Sequence, residues 1–88
     1  MEAEHLKQIF IKENMMEKLL ELLSDIRDDV DFENETQLID GNILTSFDII
    51  QIISVIDEEY DIAVPATEIK PVNFNSAKAI FDLIERLK

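Results

Sequence analysis

The chain has 88 residues, of which 47% are hydrophobic, and it carries a formal net charge of −12 at pH 7. It has no Cys, one Gly and two Pro, which excludes disulfides and thiolate metal sites and favours helices over a turn-rich sheet. We expect one small domain, because a chain of this length buries only a modest core. The sequence shows neither an apolar stretch long enough to span a bilayer nor a secretory signal, so we expect a cytoplasmic protein.

The net charge is concentrated in one part of the chain. Residues 28–69 contain no Lys or Arg and hold twelve acidic residues, whereas the remaining eight acids and eight bases cancel. Such a surface repels nucleic acid and anionic lipid, so we expect neither as a partner. It attracts a basic protein surface, although the simpler interpretation is a solvated surface that keeps the protein soluble.

The first predicted helix runs from about residue 14 to about residue 29, because its apolar residues recur on one stripe with acids opposite. Asn14 followed by Glu17 resembles a capping box at its start. The large apolar residues that precede it fall on a rotated wheel position, and they are Leu6, Ile9 and Phe10. We therefore predict that residues 1–13 form a separate extension, a short helix or a tail, ahead of a domain at residues 14–88.

The second predicted helix follows a long connection. Residues 30–44 show no sustained period and contain several loop formers, so their apolar side chains are expected to tuck onto the core. Thr45 and Ser46 open the helix, and Thr45 with Asp48 has the spacing of another capping box. The core stripe of this helix is Ile49, Ile52, Ile53, Ile56 and Tyr60.

The C-terminal part predicts one short and one longer helix. Residues 66–70 have room for a single helical turn that Pro71 would end. Ser76 then caps a last helix, on whose outer side Asp82 and Arg86 are spaced to pair. Its inner face holds Ala77, Ile80, Phe81, Ile84 and Leu87. The fold predicted is an all-α bundle of three main helices plus one short helix, with a long loop between the first and second.

The second helix has more apolar residues than its core stripe needs. Phe47 and Ile50 lie on the far side of the helical wheel, with Ser54 between them and with Asp57 and Glu58 nearby. Two interpretations are open. Either the long loop covers the two apolar side chains, or they are the anchors of a partner-docking patch with an acidic rim.

Ser46 stands at the beginning of this second face. A Ser at a helix start is in most cases only a cap. A phosphodiester on its hydroxyl would nevertheless be well placed, because the free backbone N–H groups and the dipole of a helix N-terminus favour an anion.

Two segments of the second helix resemble the acyl carrier protein family. Residues 43–50 are similar to the attachment segment of that family, in which a Ser opens the second helix. Residues 58–65 are similar to the acidic end of the same helix and its extended exit. The resemblance covers about residues 14–87, and it is closest to the D-alanyl carrier proteins at Ser46, Phe47, Phe74 and residues 64–68.

The resemblance implies a function without catalysis by this chain. A phosphopantetheinyl transferase would use coenzyme A and Mg²⁺ to attach 4′-phosphopantetheine to Ser46. The thiol of that arm would carry an acyl or aminoacyl group as a thioester, in fatty acid, polyketide or D-alanyl metabolism. Loading and client enzymes with basic, apolar-centred surfaces would dock on Phe47, Asp48, Ile50, Ser54, Asp57 and Glu58.

The sequence offers one open alternative to this function and two weaker ones. Thr45 stands where the family has an Asp that helps to engage the transferase, so the chain is alternatively a carrier-like adaptor without a prosthetic group. An enzyme is not expected, because the only His is His5 and so small a helical domain implies no concave site. Calcium-binding spacing is partly matched at Asp29, Asp31, Glu33 and Asp40. That loop lacks the central Gly and the bidentate Glu of an EF-hand, so we expect no metal site.

Overall fold

A computed structural model describes the backbone of residues 2–88 and the side chains of residues 14–88. Every regular element in it is helical, which confirms the predicted all-α bundle with three main helices, one short helix and a long first connection. The helices in chain order are α1 (Glu2–Ile26), α2 (Ser46–Tyr60), α3 (Pro71–Phe74) and α4 (Ala77–Leu87).

Helix α1 is one continuous helix from Glu2 to Ile26, so the predicted start near Asn14 is wrong, whereas the end lies within three residues of the predicted one. Asn14 lies inside the helix and cannot cap it. No Pro or Gly interrupts residues 2–26, so no helix-breaking residue separates Asn14 from the residues before it. The backbone therefore has no break at residue 13, whereas the surroundings of Leu6, Ile9 and Phe10 lie outside the described side chains.

The core is built from the predicted stripes of the three main helices together with the long connection. The buried apolar residues of the helices are Leu19 and Leu23 of α1, Ile52 and Ile56 of α2, Phe74 of α3, and Ala77, Ile80, Leu83 and Ile84 of α4. Leu38 and Leu44 of the connection are buried as predicted, and Ile39 and Ile43 pack against the core. Phe32 is also buried. The sequence does not indicate this, because the irregular connection has no period that would mark its buried side chains.

The long connection is held onto the rest of the molecule by Asn75. The backbone N–H groups of Ile39 and Asp40 both donate to its Oδ1 at 3.0 Å, and its Nδ2 donates to the Asp40 carboxylate at 2.9 Å. The chain turns here at Gly41, where a Cβ would lie 2.6 Å from the backbone oxygen of Gln37. A side chain is therefore excluded at Gly41, and the connection has a defined path to α2.

Pro71 begins a helix instead of ending one. The 3₁₀ turn at Ala66–Glu68 precedes it, and Pro71 occupies the first turn of α3, where its fixed φ and missing N–H suit a helix start. The short helical turn predicted within residues 66–70 is thus present at Ala66–Glu68, and the correction concerns Pro71, which begins a second short helix. The predicted Asp82–Arg86 pair is also wrong, and its Arg86 binds Glu68 (3.2 Å) instead.

Candidate functional site

Helix α2 begins with the capping box that the sequence predicts. The Asp48 N–H donates to Thr45 Oγ1 at 3.2 Å, and the Thr45 N–H donates to Asp48 Oδ2 at 2.9 Å. Thr45 is therefore the N-cap, and Ser46 is the first residue of the helix. Ser46 is exposed, and its hydroxyl is not needed to cap α2. The structure thus separates the capping role from the hydroxyl predicted as an attachment point.

Asp48 does not belong to the exposed face, so its prediction as a partner contact is wrong. The residue is only 5% exposed, because the third position of a capping box turns its carboxylate back toward Thr45. Its Oδ2 also accepts from Arg27 Nη1 at 2.7 Å. Burial alone would raise the pKa of Asp48, but the hydrogen bonds from the Thr45 backbone and from Arg27 outweigh burial and lower it. Its charge is thus bound within the chain and not offered to a partner.

Arg27 is the residue of this region that sequence reasoning missed. Its Nε and Nη2 form a fork on the two oxygens of Asp29, both at 2.8 Å, and its Nη1 also donates to the backbone oxygen of Ile43 at 3.2 Å. The hydrogen bond from Arg27 lowers the pKa of Asp29 to about 2. The available signal was its place as the last base before the acidic stretch of residues 28–69.

The second face of α2 is open to solvent. Phe47 is 66% exposed and Ile50 is 60% exposed, so the interpretation in which the long loop covers them is wrong. Ser54, Asp57 and Glu58 are also exposed, at the spacing that places all five residues along one side of the helix. The structure therefore brings together every predicted partner-binding residue except Asp48.

The acids at the C-terminal end of α2 differ in their pairing. Glu59 forms an ion pair with Lys18 of α1 at 3.4 Å, and the Lys18 ammonium lies 5.7 Å from the centre of the Tyr60 ring. Within residues 14–88, Asp57 and Glu58 form no ion pair. Their carboxylates are the ones left to attract a basic surface.

A second exposed apolar pair lies around α3. Val72 is 67% exposed and Ile69 is 44% exposed, with Lys70 between them in the chain. Sequence reasoning did not single them out, because a segment of this length has no measurable period. Their neighbour is basic, in contrast to the acids beside Phe47 and Ile50.

Three of the four acids that partly match calcium-binding spacing are engaged in separate contacts. Asp29 is bound by Arg27, Asp31 accepts from Asn34 Nδ2 at 2.9 Å, and Asp40 accepts from Asn75. Over the described residues, no three His, Cys, Asp or Glu side chains are grouped so that they could hold a metal ion.

Comparisons with known proteins add no relative. No protein-family model matches the sequence, and a search of characterised proteins finds no significant similarity. In the part of the chain that the structure describes, none of the helices has the length and apolar character needed to cross a membrane.

Proposed function

We propose that the chain is a carrier protein whose Ser46 is modified with 4′-phosphopantetheine and which presents a bound acyl or aminoacyl group to partner enzymes in the cytoplasm. The observation that carries the proposal is the separation of roles at the start of α2. Thr45 supplies the cap, so the neighbouring Ser46 hydroxyl is exposed and can be esterified without loss of the cap.

The residues around Ser46 suit such a group. An anionic phosphodiester on the Ser46 oxygen would lie at the N-terminus of a 15-residue helix, where the dipole is favourable. The closest acid in the sequence, Asp48, is bound by Arg27 and so repels an anion less than a free carboxylate would. When attached, the arm supplies a thiol for thioester formation, which this chain without Cys does not provide itself.

The attachment step requires a separate enzyme. The bond from Ser46 Oγ to phosphorus forms while the pyrophosphate bond of coenzyme A breaks, and the adenosine bisphosphate leaves. The hydroxyl proton passes to a base of the transferase, because the one acid in the same helical turn, Asp48, is buried and already bonded. The role of this chain is to present the hydroxyl.

Partner enzymes are expected to dock on the exposed side of α2. Phe47 and Ile50 supply apolar anchors, Ser54 lies between them, and Asp57 and Glu58 attract a basic rim. Docking of this kind is salt-sensitive and reversible, which suits a protein that passes its cargo between enzymes.

The direct experiment is intact mass after incubation with coenzyme A, Mg²⁺ and a broad-specificity phosphopantetheinyl transferase. We expect the mass to rise by one phosphopantetheine in the parent and in Ser54→Ala, and to stay unchanged in Ser46→Ala. Ser54 is the matched control, because it is a second exposed Ser on the same side of α2. No gain in the folded parent with several transferases would refute the carrier proposal.

Docking is tested with the same transferase by its dissociation constant without coenzyme A. Phe47→Ala should weaken binding about tenfold, whereas Val72→Ala, an equally exposed apolar residue near α3, should change it less than about twofold. Asp57→Asn combined with Glu58→Gln should flatten the salt dependence of binding more than Glu17→Gln combined with Glu21→Gln on α1. Equal effects within either pair would contradict docking on this side of α2.

The second candidate function is an adaptor that binds partners without a prosthetic group. Thr45 favours it, because the carrier family has an Asp at that place and Thr45 brings no charge. The adaptor would use the same exposed face at Phe47 and Ile50. A chain that is never modified but still binds a partner through these residues would support the adaptor.

A further inference from the structure

Arg27 connects three segments that are distant in the sequence. Its guanidinium binds Asp29 just after α1, the backbone oxygen of Ile43 at the end of the long connection, and Asp48 in the first turn of α2. The last two contacts lie on either side of Ser46, three residues before it and two residues after it. A single side chain therefore spans the segment that carries the attachment hydroxyl.

The contacts of Arg27 are continuous with those of the capping box. Asp48 Oδ2 accepts from Arg27 at 2.7 Å and from the Thr45 N–H at 2.9 Å, so one oxygen joins the arginine to the cap. The N–H groups of Ile43 and Leu44 donate to the backbone oxygen of Leu38, at 3.1 and 2.9 Å. The backbone on both sides of Ser46 is thus held at several points while the residue itself is exposed.

We propose that Arg27 is a positioning residue for the modification of Ser46, holding residues 43–48 in the conformation that a transferase recognises. The inference rests on the proposed carrier function. It has a quantitative consequence, because a segment that is ordered for only part of the time binds its enzyme more weakly by that fraction. Binding to the enzyme restores the order, so at saturating concentrations of the chain kcat is unchanged and the loss falls on KM.

The geometry of the contacts requires an arginine. Two nitrogens bind Asp29 while the third binds both Ile43 and Asp48, which uses the planar fork of the guanidinium. A lysine retains the positive charge beside Asp48 but has a single nitrogen. Arg27→Lys should therefore recover only part of what Arg27→Gln loses.

The first measurement is amide hydrogen exchange, which does not depend on modification. In Arg27→Gln we expect the Thr45 and Asp48 amides to exchange about tenfold faster than in the parent, because their capping contacts lose the arginine. The amides of Ala79 and Ile80 at the start of α4 are the internal reference, since Arg27 makes no contact there. Arg86→Gln is the matched variant, because Arg86 also binds a carboxylate and an amide oxygen but in the α3–α4 region.

The second measurement is the kinetics of phosphopantetheine transfer to the same variants. Arg27→Gln should raise the KM for the chain about tenfold with kcat within about twofold, Arg27→Lys should lie between it and the parent, and Arg86→Gln should match the parent. If Arg27→Gln does not fold, Arg27→Lys decides the question through the same two measurements.

The outcomes separate this inference from the carrier proposal. Unchanged exchange at Thr45 and Asp48, or a parent-like KM in a folded Arg27→Gln variant, would overturn the positioning role. Exchange that quickens equally at the start of α4 would also overturn it, because Arg27 would then act only on overall stability. A parent that no transferase modifies refutes the carrier function, and the exchange comparison still decides whether Arg27 orders the Ser46 segment.

Discussion

Helices α2 and α4 both begin with a hydroxyl cap, yet the two starts are built differently. At α4 the cap is Ser76, whose Oγ accepts from the Ala79 N–H at 3.0 Å, and the aromatic Phe74 just before it is buried. At α2 the cap is Thr45, and the next two residues, Ser46 and Phe47, are exposed. A serine at a helix start is therefore structural in one helix and available for chemistry in the other.

The two starts also differ in how they are supported. The α2 cap is reciprocal, with Asp48 returning a hydrogen bond to Thr45, and Arg27 reinforces it from outside the helix. The cap of α4 is a single hydrogen bond from Ala79, next to a core that includes Ala77. The start of α2 is thus held by a reciprocal cap and an arginine, and the start of α4 by a single side-chain cap next to the contacts of Asn75 with the long connection.

The largest expected effect tests the aromatic side chains at the two starts. Phe74→Ala should lower the free energy of unfolding by about 3 kcal/mol, because the ring is 1% exposed and its removal leaves a cavity. Phe47→Ala is the matched control and should change it by less than about 0.5 kcal/mol, because that ring is mostly exposed. Urea unfolding of both variants measures the difference. Similar losses would mean that Phe47 also packs against the protein.

The second effect tests the polar support of α2. Asp48→Ala should lower the free energy of unfolding by about 2 kcal/mol, because Arg27 and the Thr45 N–H both lose a charged acceptor. Asp57→Asn is the control, because Asp57 lies on the same helix, is exposed and forms no ion pair within residues 14–88. Urea unfolding again gives the measurement. A loss at Asp48 no larger than at Asp57 would show that its contacts do not support α2.

The third effect compares the two serines directly. Ser76→Ala should cost about 1 kcal/mol, the usual loss for an N-cap, whereas Ser46→Ala should cost less than about 0.5 kcal/mol. Thermal unfolding at one pH and ionic strength checks both variants. A clear loss at Ser46 would mean that its hydroxyl takes part in the cap, and the separation of roles at α2 would then fail.

Contacts between residues close in sequence were the predictable part of this structure. The caps at Thr45 and Ser76 and the core stripe with Ile52 and Ile56 follow from spacings of three and four residues, which a helix imposes locally. Local signals also mislead, since Asn14 has the same kind of cap pattern and lies inside α1.

Contacts that depend on the path of the long connection were out of reach of sequence patterns. Arg27 meets Asp48 across 21 residues of sequence, and no period marks that contact. For the same reason the wheel placed Phe47 and Ile50 off the core but could not tell whether the connection covers them. The resemblance groups Asp48 with the docking acids, and the contact with Arg27 that removes it from the exposed face lies outside any local pattern.

The smallest expected effect concerns acid and again distinguishes the start of α2. The pKa of Asp48 is lower in the folded chain than in the unfolded chain, where it is about 3.9. Its contribution to stability is therefore fully present above about pH 4 and is lost as the pH falls through its lowered folded value. Asp48→Asn, which cannot ionise, should be less stable than the parent by about 1 kcal/mol at pH 7, and this gap should shrink below about pH 4.

The comparison with Asp48→Asn is needed because the whole chain carries a net charge of −12. Protonation of its many other acids relieves repulsion and stabilises the fold as the pH falls, which masks the loss at Asp48 in the parent alone. This background is nearly the same in both proteins and cancels in their difference. Glu17→Gln on α1 removes one charge without removing a contact to Arg27. The difference in free energy of unfolding between this variant and the parent should therefore not decrease in the same way below pH 4. A difference between Asp48→Asn and the parent that stays constant down to pH 2 would contradict a folded pKa lowered by Thr45 and Arg27.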